Sequence, residues 1–227
     1  MLLVSIDTSG KSGGITLAQG DRNSFRVLES SPIAGGTFSA QLVPTLASLL
    51  QKHGFAATDI GGFAAVSGPG SFTGLRVGLS AIKGLAEVLK VSVATVSLLE
   101  ALAASSYQQG RVAAALDAGR SEIYFGSYDF ANGRATKISE QLLSRQEFVA
   151  RLSETNPARL ITSDHAVAEV ASSTRIPVQE TARPGSEVVA RIGLQKLLAN
   201  ETVSVEALDA NYIRRSDAEI FSKPKLY

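Results

Sequence analysis

The stretch Ser67-Gly68-Pro69-Gly70-Ser71-Phe72-Thr73-Gly74-Leu75-Arg76 separates an apolar run at 63–66, which reads as a buried strand, from a helix-patterned run that begins near Gly74. Glycine tolerates positive φ and Pro69 holds its own φ near the turn value, so the strand can be redirected sharply within a few residues. A strand, a glycine-rich turn and a helix start also bring backbone N–H groups together where an anion or a partner can be met. Gly68, Pro69, Gly70 and Ser71 are given a structural role here: they set the angle of the helix that follows rather than bind phosphate.

Upstream of this turn, residues 2–6, 14–18 and 25–28 read as three short strands divided by Gly, Ser, Asn and Asp, an antiparallel meander. Gly35-Gly36 then breaks the chain before a helix over 39–53, whose Leu42, Leu46, Leu49 and Leu50 form one apolar stripe. Pro44 should kink this helix or lie within a few residues of its true start, and Gly54 is a plausible C-cap. Downstream, a helix over 74–89 carries the stripe Leu75, Leu79, Ile82 and Ala86, while Gly74, Gly78, Gly84 and Ala81 leave much of its surface small-sided. Glycines inside a helix cost about 1 kcal/mol each relative to alanine, so such a helix is favoured mainly where another element packs closely on it. A strand at 91–96 and an alanine-rich helix at 98–107 complete the first half.

The second half repeats that rhythm. Strands are expected at 111–116, 122–128 and 134–138, with Asn132-Gly133 as a hairpin turn, then a helix at 146–152, a strand at 160–163 and a short helix at 165–171. The last helix, 186–198, has Ser186 as its expected N-cap, and the polar tail, 208–227, with Tyr212, Ile213, Arg214 and Arg215, reads as extended and partly mobile. A three-stranded meander followed by alternating helices and strands, occurring twice, is the layout of the two-lobed α/β folds of the actin-like, Hsp70-like and sugar-kinase class, also called ASKHA or ribonuclease H-like. The expected lobes are 1–109 and 110–227. Fold alone assigns no function.

Composition narrows the classes. At 227 residues the chain can bury roughly 70–75% of its unfolded surface. With 22 Lys and Arg against 21 Asp and Glu, the formal net charge is +1, without the basic excess of a protein that grips nucleic acid alone. There is no cysteine, which excludes disulfides, thiolate metal sites and a cysteine nucleophile. Residues 1–6 are apolar, but Asp7 follows too soon for a signal peptide, and no run approaches the ~18–20 apolar residues of a membrane span. The expectation is a soluble cytoplasmic protein without a membrane segment.

The nucleotide-facing candidates are Asp7, Thr8 and Ser9 at the end of the first strand, where an acid and small hydroxyls can meet phosphate and metal. The plainer alternative is that Asp7 and Ser9 turn the chain through side-chain-to-backbone bonds. The turn at 67–76 fails the Walker pattern, because Gly74 is followed by Leu75-Arg76 and the next lysine is Lys83. It also misses the dinucleotide pattern by one residue, although Glu100 could imitate a ribose ligand there. His53 and His165 have no acidic or histidine neighbour at helical metal spacing, so neither a metal site nor a Ser–His–Asp triad is indicated, and no nucleophile elbow is present. Asp164 reads as a cap of the helix at 165–171. The turn Asp117-Ala118-Gly119-Arg120-Ser121-Glu122 is either a surface Arg–Glu turn or a polar site at the mouth of an inter-lobe cleft.

The segments Leu3-Val4-Ser5-Ile6-Asp7-Thr8-Ser9, Ser67 to Gly78, Lys83-Gly84-Leu85-Ala86, Leu116 to Tyr124 and Tyr212-Ile213-Arg214, in that order, closely resemble the TsaB (YeaZ) family of bacterial tRNA-modification proteins. The likeness spans the chain and is weakest over 134–183. It implies a noncatalytic subunit required to form threonylcarbamoyl-adenosine at position 37, next to the anticodon, in tRNAs whose codons begin with adenine. The catalytic subunit in that scheme is TsaD, which holds a metal through a His-x-x-x-His motif that this chain lacks. The resemblance further implies a heterodimer with TsaD, contact with TsaE, a homodimer in isolation, tRNA reached only through the complex, and no cofactor beyond ATP or ADP at the joint between subunits. Its two long helices would pair with those of TsaD, with Gly74 and Gly78 permitting close approach and Leu42, Leu46, Leu49, Leu75, Leu79 and Ile82 supplying buried area. On that scheme no residue is catalytic, and replacing Gly78 by leucine would weaken the complex and leave the monomer folded. The alternative from a different class is an independent small-molecule or nucleotide-dependent kinase, with Asp117 as its base; a peptidase finds no nucleophile or metal.

Overall fold

Six consecutive buried residues, Leu2–Asp7, form β1 at the centre of a five-stranded sheet. On one side β1 pairs antiparallel with β2 (Ser12–Gly20), which pairs antiparallel with β3 (Phe25–Ala34). The turn between them is closed by Asp21, whose Oδ1 accepts the N–H groups of Asn23 and Ser24 at 2.7 and 2.9 Å. On its other side β1 pairs parallel with β4 (Ile60–Gly68), and β4 with β5 (Ser92–Ser97). Parallel neighbours need a crossover, and α2 (Phe72–Leu89) supplies it. The computed structural model describes residues 1–105, 109–211 and 213. Tyr107 and the tail residues Tyr212 and Arg214 onward lie outside the described residues.

The same order recurs. Central β6 (Gly110–Gly119) pairs antiparallel with β7 (Glu122–Ala131), which pairs antiparallel with β8 (Arg134–Ser144). On its other side β6 pairs parallel with β9 (Arg159–Thr162), and β9 with β10 (Val178–Glu180). Both hairpin residues Asn132 and Gly133 have positive φ, 54° and 74°, as the primed turns require. Two sheets with the order 3-2-1-4-5 and its repeat make this the two-lobed actin-like α/β fold. β10 is the strand that periodicity misses, since three residues are too few to show alternation. β3 and β8 run past their expected ends at 28 and 138; β3 is an edge strand, where Pro32 is tolerated.

Helix α1 (Phe38–Lys52) and α2 pack together on one face of the first sheet. Pro44 lies inside α1, on its exposed side and well past the first turn, so the helix begins earlier than its position suggests. Helix α3 (Leu98–Ala104) is buried along its length and touches both sheets. Helices α4 (Arg145–Thr155) and α5 (His165–Ala171) cover the far face of the second sheet, where Phe125 and Phe148 meet edge to face with centroids 5.9 Å apart.

The division at 109/110 misassigns the last helix, α6 (Ser186–Leu198), which lies across the first sheet. A Cβ on Gly193 would overlap the methyl of Ala64, and Ser5 Oγ donates to the Ser186 carbonyl at 2.6 Å. Ser186 is not the N-cap, which is Gly185; its hydroxyl faces Thr16 Oγ1 at 2.8 Å instead. Asp164 does precede α5, but its side chain makes no cap; Oδ2 accepts the Asp117 N–H at 2.8 Å.

Candidate docking site beside the first turn

The Ser67–Gly74 turn is folded against the β1–β2 turn. Ser71 caps α2, accepting the Gly74 N–H at 3.2 Å, while its own N–H donates to the Ser9 carbonyl at 2.7 Å. A Cβ on Gly70 would strike the Ser9 carbonyl, one on Gly74 the Thr8 carbonyl, and one on Gly78 the Thr8 hydroxyl. Three glycines thus let the start of α2 lie directly on Thr8 and Ser9. Gly68 has φ of +139°, a backbone state that glycine alone adopts readily.

The inward side of the helix pair holds the residues expected at an interface. Leu42, Leu46, Leu49, Leu75, Leu79 and Ile82 are all at most 5% exposed and belong to the core of the first lobe. Gly74 and Gly78 are likewise buried, against Thr8 of the same chain. The expectation that these eight residues supply a partner's buried area is therefore corrected: periodicity marks the apolar stripe, and the sheet of the same chain takes it, leaving only Leu42 and Gly74 at the base of hollows on the outer side.

What the pair offers to solvent is a different set. Val43 is 51% and Phe72 38% exposed, beside the uncharged Ser39, Thr73 and Ser80. Between α1 and α2 runs a groove of about 530 Å³, floored by Phe38 and Leu42 and walled by Val43, Phe72, Val77 and Ala81. The Arg76 guanidinium lies 3.9 Å from the centroid of the Phe72 ring, at one end. A second hollow of about 580 Å³ shares Phe38, Ser39, Thr73 and Val77 with the first and reaches Gly10, Lys11 and Gly35. Sequence reasoning missed this face, although it carried a signal. From Phe72 to Gly84 the residues off the buried stripe include Thr73, Val77, Ser80 and Ala81, where a solvated helix usually carries charge.

Asp7, Thr8 and Ser9 are each no more than 3% exposed. Asp7 Oδ1 accepts the Ser9 N–H at 2.8 Å and also the Ser9 hydroxyl. That hydroxyl in turn accepts from Arg183 Nη2 at 2.6 Å, and Arg183 stands 3.9 Å from Asp7 Oδ2. The arrangement is a side-chain-closed turn with its charge countered by an arginine from the loop before α6. Nothing in the sequence linked Arg183 to Asp7, because the loop reaches it only through the return of α6 to the first sheet. Thr8 is taken up by Gly74 and Gly78.

The other candidates are engaged elsewhere. Asp117 Oδ1 accepts the N–H of Gly119 at 3.0 Å, closing its own turn. Glu100, 8% exposed, pairs with Lys196 at 2.6 Å. His53 Nε2 meets Glu29 at 2.8 Å, and the Glu29 carboxyl is held below its usual range by hydrogen bonds from Lys52 and His53. His165 is raised above the usual imidazole range by its hydrogen bond to Glu180 and by Glu169. This acid stands four residues on along α5 and 3.6 Å away, which corrects the sequence reading that His165 has no acidic neighbour at helical spacing. Among the described residues, no three His, Asp or Glu side chains are grouped to hold a metal ion, and no helix is long and apolar enough to cross a membrane.

A family model described as TsaD, tRNA N6-adenosine threonylcarbamoyltransferase, matches residues 32–202. Relatives of similar length carry the name tRNA threonylcarbamoyladenosine biosynthesis protein TsaB. The one from Bacillus subtilis is 29% identical, covering 96% of both chains, and that from Escherichia coli 25% identical, again covering 96% of both. The chain belongs to this TsaD-type family, in its TsaB (YeaZ) branch. The crystal structure of a protein described as similar to peptidase YeaZ, from Pseudomonas aeruginosa, superposes on this TsaB-family chain with a TM-score of 0.79. It is 26% identical over 94% of this chain and 99% of the other. YeaZ from Pseudomonas aeruginosa has the same fold, with a TM-score of 0.73.

Proposed function

We propose that this TsaB-family chain is a noncatalytic subunit in threonylcarbamoylation of adenosine 37 of tRNAs reading codons that start with A, and that it docks TsaD through the outward face of α1 and α2. One observation carries the reading: a largely apolar groove, with Arg76 as the one charged residue in its lining, lies open between the two helices, next to a polar turn whose own groups are already engaged. Contiguous exposed apolar surface on a small protein marks an interaction site. The same face, doubled about a twofold axis, suits a homodimer when TsaD is absent. The internal closure of Asp7 and Asp117 favours an accessory role over an independent kinase. On this reading TsaE joins the assembled pair, tRNA is met through the complex in the cytoplasm, and ATP or ADP belongs to the joint rather than to this chain.

Reconstitution tests it. TsaD with its substrates should modify tRNA only when this chain is added, and the chain alone should transfer nothing. Undiminished modification without it, or turnover by the chain alone, overturns the proposal. Calorimetric titration with ATP should give no heat for the isolated chain; binding there would return the Asp7 turn to the role of a nucleotide site.

A further inference from the structure

Residues 199–211, which follow α6, have almost no regular structure yet attach to both lobes and to α2. The Val203 N–H donates to the Val93 carbonyl at 2.9 Å, adding one antiparallel bridge to the edge of β5. Leu208 and Ala210 are buried in the core cluster that joins the first sheet to the inner residues of the second. Along α2, Lys83 Nζ donates to the Glu206 carbonyl at 3.2 Å. At the end of β4, four residues before the cap of that helix, the Asn211 N–H donates to the Ser67 carbonyl at 2.7 Å. Two ties therefore reach the same helix and the turn that launches it.

The segment also reaches the second sheet. Arg134 of β8 forms an ion pair with Glu201. Asn211 Nδ2 donates to Glu140 Oε2 at 3.3 Å, and Glu140 Oε1 accepts the hydroxyl of the fully buried Tyr128 at 2.6 Å. Asn211 thus holds Ser67 by its backbone and the second lobe by its side chain. Between these ties lies a cleft of about 750 Å³ with Ser67, Glu100, Lys137 and Lys196 on its walls, while α3 joins the two sheets through its own packing. Its floor charges pair within the chain, Lys196 with Glu100 at 2.6 Å and Lys137 with Glu140 at 3.9 Å.

We propose that 199–211 is a strap that relays the position of the second lobe to α2, with Asn211 as the positioning residue that sets how the docking face is presented. The geometry explains the direction of the effect. Ser67 lies four residues before Ser71, the cap of α2, and Ser71 is pinned on the opposite side by Ser9. A shift of the second lobe moves Glu140, hence Asn211, hence the Ser67 carbonyl, and the helix start must follow or lose its cap. Docking through α1 and α2 rests on the function proposed above; the relay itself does not.

Asn211→Ala removes the tie to Glu140 and keeps the backbone bond to Ser67. In the isolated full chain, amide exchange at 72–78 should quicken about five-fold, while exchange in β1 and the melting temperature stay unchanged. Glu140→Ala, made from the other lobe, should give the same increase, and the double variant no more than either alone. Glu140→Gln keeps one side-chain oxygen to accept from Asn211 while its amide nitrogen turns to the Tyr128 hydroxyl, and should bring exchange back toward the wild-type rate. TsaD should bind both alanine variants about three- to ten-fold more weakly. Unchanged exchange at 72–78, or additive effects of the two substitutions, overturns the relay. A wild-type chain that fails to bind TsaD overturns the docking proposal alone, since the exchange measurement needs no partner.

Discussion

The two sides of α2 differ in composition and in what they touch. Inward, Leu75, Leu79 and Ile82 enter the core, and Gly74 and Gly78 press on Thr8. Outward, Phe72, Thr73, Val77 and Ser80 line an open groove. An apolar stripe at helical spacing is therefore no sign of a docking face; a helix in a globular lobe gives that stripe to its own sheet first. The informative side is the outward one, where Arg76 is the one charged residue lining the groove. The glycines carry the same lesson, since small residues mark close approach without saying to what.

Five substitutions can break or sharpen this contrast. The largest effect is expected inside: Ile82→Ala should cost about 4 kcal/mol of unfolding free energy, through lost burial and an unfilled cavity. A smaller loss from denaturant melts would mean that the inward side is less tightly packed than its burial indicates. Next, Gly78→Leu should destabilise the isolated chain by about 3 kcal/mol, because the new side chain overlaps Thr8. The sequence alone had implied an intact monomer for this variant, so a wild-type melting curve would restore that expectation. Third, Val43→Asp and Ser80→Arg should weaken TsaD binding at least about ten-fold, with melting temperatures unchanged. Wild-type affinity for both would remove the outward face from consideration. Last, Gly84 has open space where a Cβ would go, so Gly84→Ala should stabilise the chain by about 1 kcal/mol.

Much of this architecture was legible beforehand. Turn residues such as Asn132-Gly133 and runs such as 2–6 and 63–66 located the strands, and their repetition indicated two lobes. The site was less legible. Asp7 and Ser9 read either as a nucleotide contact or as a turn; the structure makes the turn's bonds, and Arg183 joins them from a distant loop. Glu100 could pass for a ribose ligand until its partner Lys196 arrived on α6. In each case the missing information was the identity of a neighbour far away along the chain. The strap at 199–211 was invisible for the same reason, since its partners Ser67, Val93, Arg134 and Glu140 lie far from it along the chain.

Sequence by itself determined the local elements, because side-chain period, turn chemistry and the scarcity of charge on α2 are properties of neighbouring residues. Only the tertiary structure decided which side of α2 is covered, that α6 returns to the first sheet, and that Asp7 meets Arg183. Those outcomes depend on which surfaces come together when the chain closes, and periodicity marks a surface as apolar without specifying its partner.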